Sequence, residues 1–80
     1  MDSLDVKIKR IVDFTIPMYG NNRIFPYYTL EVTDGDLTKI VKTKEDGPNI
    51  YFTFKRKRYY VVNEGKLHNP KLVIRTTRID

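Results

Sequence analysis

Four consecutive cations, Lys55, Arg56, Lys57 and Arg58, lie between the runs I-Y-F-T-F and Y-Y-V-V, with Tyr51 and Tyr60 close on either side. Cations in a cluster neutralise phosphates and give an affinity that falls steeply with salt. Tyrosine rings beside them offer surfaces for unstacked bases, worth roughly 1–3 kcal/mol per base in proteins that use them. A hairpin carrying such a tip can also enter a groove as a two-stranded ribbon. The first expectation is therefore nucleic-acid binding through Lys55, Arg56, Lys57 and Arg58, with Tyr51 and Tyr60 for stacking. Lys66, Lys71, Arg75 and Arg78 extend this surface if the last strand lies beside the hairpin. The alternative is a small interaction or inhibitory protein docking on an acidic protein surface, because Tyr and Arg dominate interface hot spots. Tyr19, Arg23, Phe25, Arg56, Arg58 and Tyr60 would supply those contacts.

Other chemistry has little support. His68 stands in G-K-L-H-N-P with no Ser or Cys nucleophile motif beside it, and the only serine is Ser3. Asp34, Asp36, Glu45 and Asp46 sit in two turn-like segments without the spaced oxygen ligands of a calcium loop. Asp-Gly commonly serves only to form a turn. The four glycines stand singly, and neither G-x-G-x-x-G nor G-x-x-x-x-G-K-[ST] occurs. No cysteine is present, and one histidine cannot make a two-histidine metal site. These absences lead to the expectation of a non-enzymatic protein with no cofactor and no metal.

The cations need a scaffold, and residues 50–62 read as a β-hairpin. If the four-residue tip closes symmetrically, Phe54 faces Tyr59 and Phe52 faces Val61. Ile50, Phe52, Phe54, Tyr59 and Val61 then share a core face, and Tyr51, Thr53, Tyr60 and Val62 the other. A two-residue turn at Arg56-Lys57 would demand positive φ from residues that suit it poorly, so a wider loop is expected.

Upstream, residues 6–16 alternate imperfectly. Val6, Ile8, Val12, Phe14 and Ile16 share one parity, which Arg10 and Ile11 interrupt. A bulge or bend near Lys9-Arg10 would repair the register. Leu4, Ile8, Ile11 and Val12 also fit helical spacing, but the β-branched Val6, Ile8, Ile11, Val12 and Ile16 favour a strand. Pro17 to Pro26 reads as a loop whose apolar groups either bind a partner or cap the core. Tyr27 to Val32 is a strand with Tyr28, Leu30 and Val32 on one face. Thr33-Asp34-Gly35-Asp36 turns it into a polar partner strand over residues 37–44, a candidate edge for pairing with another protein. Glu45 to Asn49 and Asn63 to Lys66 make two further turns. Residues 71–79 form the last strand, with Leu72 and Ile74 inward.

These segments predict a single domain over residues 1–80: a mainly β, small antiparallel barrel or sandwich of about five to six strands, OB-like or SH3-like in size. Eighty residues leave no room for a second core.

The chain carries 15 basic and 10 acidic residues, a net charge of +5. Residues 1–50 hold seven basic and eight acidic side chains, whereas residues 51–80 hold eight and two. This asymmetry points the second part of the chain towards an acidic partner. No apolar run approaches the ~20 residues of a membrane span, and M-D-S-L-D lacks signal-peptide character. A soluble, cytoplasmic protein is expected, with a homodimer open to its exposed sheet edges. In size and in lacking a catalytic motif it resembles, in type only, accessory proteins of phages and mobile elements.

Overall fold

A computed structural model describes residues 6–16 and 26–79. Seven strands follow in chain order: β1 (Lys7–Thr15), β2 (Tyr27–Thr33), β3 (Thr38–Lys42), β4 (Lys44–Asp46), β5 (Asn49–Phe54), β6 (Lys57–Asn63) and β7 (Leu72–Ile79). They form two antiparallel sheets, β1-β2-β3 and β4-β5-β6-β7. The protein is thus mainly β, with its strands gathered around one core. Among the described residues, no helix is long and apolar enough to cross a membrane.

Period-two alternation decides which side chains meet between the sheets. β2 contributes Tyr28, Leu30 and Val32, β5 contributes Phe52 and Phe54, and β6 contributes Tyr59 and Val61; all are buried. Ile50, Leu72 and Ile74 pack against this cluster from the margins. The face expected from the sequence for the hairpin is the face observed.

β1 reaches the core by a different route. Its pairing with β2 slips between Ile8 and Arg10 and again between Ile11 and Asp13. Each slip absorbs one extra residue, so Ile8, Ile11 and Phe14 all pack against the core at a spacing of three. The bulge near Lys9-Arg10 is as expected. The second one turns Val12 outward, where it is 40% exposed, and corrects its expected place beside Phe14.

Residues 37–44 do not make a single strand. β3 ends at Lys42, and Thr43 carries the chain from one sheet to the other. Thr43 is buried, yet its polar groups are satisfied: its N–H donates to the Tyr28 carbonyl (3.0 Å), and its Oγ1 accepts from the Tyr28 N–H (3.0 Å). This corner adds the short β4, giving seven strands where six were counted. Gly47, at φ 64°, and Pro48 then connect β4 to β5. A positive φ followed by proline's negative one is the sign pattern of a type II′ hairpin turn.

Candidate nucleic-acid interface

The basic hairpin closes more tightly than its sequence suggests. Phe54 pairs with Lys57, so the loop is only Lys55-Arg56, with φ values of 51° and 67°. The expected wide, symmetric loop is corrected to a two-residue turn with both φ positive, as in type I′. Left-handed backbone costs a side-chain-bearing residue roughly 1–2 kcal/mol. Three contacts favour the tight register nonetheless. Phe54 is inserted in the core at 1% exposure. Phe52 stacks on Tyr59, with centroids 5.2 Å apart and planes at 13°. Lys55 Nζ reaches Asp34 Oδ2 (2.5 Å), a carboxylate on the β2–β3 turn of the other sheet.

Asp34 is prepared for that pairing. Its Oδ1 accepts the backbone N–H groups of Asp36 (2.9 Å) and Leu37 (2.8 Å), which builds the turn and aims the second oxygen at Lys55. The Lys55 ammonium, followed by these amides, holds the Asp34 carboxyl well below its ordinary range. Reciprocally, Asp34 pushes the Lys55 pKa up. Lys55 is therefore engaged across the two sheets. In the core, burial raises the Tyr28 phenol, against a smaller lowering by Asn63.

The outer face of the second sheet gathers the remaining residues. Tyr51 and Tyr60 are direct cross-strand partners, with centroids 5.3 Å apart and planes at 41°. The Arg58 guanidinium lies 4.4 Å from the Tyr51 ring centroid, a cation–π contact. Arg58 is also paired with Arg78 across β6 and β7. Both arginines donate to the Tyr60 hydroxyl, from 3.2 and 3.4 Å, and Tyr60 donates to Asp46 Oδ2 (2.6 Å). Arg56 and Lys57 are exposed at the tip, with no ion pair among the described residues. Lys57 has the parity of Tyr59 and Val61, so it belongs to the opposite face from Arg58 and Tyr60.

Chain order explains what else is near. β7 runs back towards the tip, so Arg78 and Ile79 pair with Arg58 and Lys57. Lys66 and Lys71 belong to the connection at the other end of β6, about 20 Å from the tip by strand rise. Arg75 falls where the β6–β7 register shifts, between the pairs Tyr60–Thr76 and Val61–Ile74. The structure thus brings Arg58, Arg78, Tyr51 and Tyr60 together, with Arg56 exposed at the tip; it sets Lys57 on the opposite face of β6 and leaves Lys66 and Lys71 apart. Tyr19, Arg23 and Phe25 lie outside the described residues.

Sequence reasoning treated Asp46 and Asp34 only as turn formers. Asp46 was accessible to a parity argument: it pairs with Asn49 across Gly47-Pro48, and Asn49 shares a face with Tyr51. Asp34 offered no such signal, because its partner is on the other sheet.

From residue 44 to residue 79 there are nine basic and three acidic residues, a balance of +6; the described residues before them hold five and four. The charge asymmetry along the chain is therefore an asymmetry between sheets. No group of three or more metal-ligating side chains is assembled among the described residues. Compared with models of known families, with curated proteins and with solved structures, the chain matches none.

Proposed function

We propose that this protein binds single-stranded nucleic acid across the outer face of β5, β6 and β7. One observation carries the reading: Tyr51 and Tyr60 form a half-exposed aromatic pair bordered by Arg58 and Arg78, with Arg56 exposed at the nearby tip. Bases lie against the tyrosines and the Arg58 guanidinium, and phosphates follow the arginines. In this reading the two sheets make an open sandwich of OB-like size, and its outer wall is the binding surface.

A single strand fits this surface better than a duplex groove does. For a ribbon to enter a groove, the hairpin must project from the body. Here Phe54 is buried on one side of the tip, and β7 pairs with β6 as far as Lys57. The tip is the end of a sheet and has no free arm.

The test is fluorescence anisotropy with labelled oligo(dT), the same length of RNA, and duplex DNA, at about 50 and 200 mM salt. We expect micromolar or tighter single-strand binding that weakens steeply with salt. The Arg56→Ser/Arg78→Ser variant should lose at least tenfold in affinity and show a shallower salt slope. Absence of single-strand binding at low salt, or preference for the duplex, overturns the proposal.

A second reading, pairing with a partner protein's strand, is favoured by one observation. β3 is an outer strand of its sheet, with Ile40 56% exposed. Such binding would depend on one protein and be indifferent to polyanions.

A further inference from the structure

The Tyr60 hydroxyl is saturated. A phenol has one proton to donate and two lone pairs to fill; here the proton goes to Asp46, and the lone pairs receive Arg58 and Arg78. Two guanidinium groups thus converge on one oxygen from directly opposed positions on neighbouring strands. Like charges in that arrangement repel. The carboxylate at hand is Asp46, which sits to one side: its Oδ2 is 3.5 Å from Arg58 Nη1, the long limit of a contact, and Arg78 reaches it only through the tyrosine. Two guanidinium groups and one carboxylate thus meet at a single phenol oxygen.

We infer that Arg58, Arg78 and Tyr60 form a phosphate subsite, and that Asp46 is an internal competitor for it. This inference rests on the single-strand reading and names the contact that its backbone makes. A phosphate has oxygens enough to bridge both guanidinium groups. When it does, Asp46 loses its share of Arg58, and its charge opposes the incoming anion. Arg58 also lies over the Tyr51 ring, 4.4 Å from its centroid, so the carboxylate helps keep a cation positioned there in the free protein. The arrangement lowers affinity for every polyanion and favours ligands that supply a stacking base together with the phosphate.

The experiment uses wild type and the variants D46N, E64Q and R78Q. Asparagine keeps an acceptor for the Tyr60 hydroxyl and removes the charge. E64Q removes the same charge at the far, exposed end of β6, and so controls for net charge. Each 15N-labelled protein is titrated with inorganic pyrophosphate while the arginine side-chain N–H signals are followed, and separately with oligo(dT) by anisotropy. The expected result is that pyrophosphate shifts the Arg58 and Arg78 signals in wild type. D46N should tighten both ligands about two- to fivefold, the scale of an exposed ion pair, and steepen the salt dependence, whereas E64Q should do neither. R78Q, an exposed change that keeps the fold in play, should weaken both ligands. Equal tightening by D46N and E64Q, no change or weakening in D46N, or unmoved arginine signals overturns the subsite. If pyrophosphate behaves as expected while oligo(dT) fails to bind, the subsite stands and the single-strand reading falls.

Discussion

Two aromatic pairs lie back to back on the same hairpin, and their difference shows how one ribbon serves two purposes. Phe52 and Tyr59 are 5.2 Å apart, and Tyr51 and Tyr60 are 5.3 Å apart. The inner pair is stacked and nearly free of solvent, at 0% and 7% exposure. The outer pair is tilted, half-buried and surrounded by Arg58, Arg78 and Asp46. Equal spacing follows from strand geometry, which fixes cross-strand distances on either face. What differs is the neighbourhood. The inner rings are enclosed by the core, and the outer rings meet ions and water. Ring proximity alone therefore assigns no role; the side chains around the pair do.

The comparison breaks most visibly if the inner pair is cut. Phe52→Ala should cost about 3–5 kcal/mol, a large share of what a small domain has, and urea denaturation measures it. Tyr51→Ala should cost clearly less stability, while lowering oligo(dT) affinity by the roughly 1–3 kcal/mol of one base stack. Equal losses of stability from the two variants would make the outer pair structural and remove the case for a binding face. A smaller effect concerns the turn that sets both pairs in register. Arg56→Gly relieves one left-handed residue and should raise stability by about 1 kcal/mol, read as a higher urea midpoint at unchanged slope.

The smallest expected effect is the pH dependence from Asp34. Its carboxyl is more acidic folded than unfolded, so its contribution is present above the ordinary value of 3.8 and is lost as pH falls below it. Lys55 is shifted up, so its contribution holds below its ordinary 10.5 and is lost as pH rises beyond the folded value. Asp34→Asn should flatten the acid limb of a stability–pH curve while leaving the core unchanged; an unaltered limb would show that the ion pair carries no stability.

The alternation of residues 50–62 made the core face legible, but it did not fix the partners. The expected register set Phe54 against Tyr59, and the observed one sets Phe54 against Lys57, a slip of two. A slip of one exchanges the faces of a strand, whereas a slip of two preserves them. Hydrophobic pattern is therefore blind to this difference, and the turn decides it. Lys55 and Arg56 look wrong for that turn, because what favours it is remote: Asp34 on the other sheet and Phe54 in the core. β1 was legible as a strand, but not its faces. Two bulges put Ile8, Ile11 and Phe14 at intervals of three, which is also helical spacing. The corner at Thr43 had no marker, since threonine is an ordinary strand residue and its hydrogen bonds to Tyr28 exist only after the sheets meet. In the site, Tyr51, Tyr60 and the basic run were evident from type and spacing. Asp46 and Arg78 gained their roles from strands that adjoin only in the fold.

In both sheets, every strand is hydrogen-bonded only to the strand before it and the strand after it in the chain. That order bears on time as well as shape. Four-residue and shorter connections join β2 to β3, β4 to β5 and β5 to β6, so their ends meet by local diffusion. Hairpins of this kind close in about 1–10 μs. No ladder waits for the two ends of the chain to find each other, the step that slows most all-β folds. What is left for the late stage is the closing of one sheet on the other, when Thr43 meets Tyr28 and Lys55 meets Asp34. The hairpin that carries the arginines therefore takes its tight register only at that late stage, when the Asp34 and core contacts that favour its turn are made.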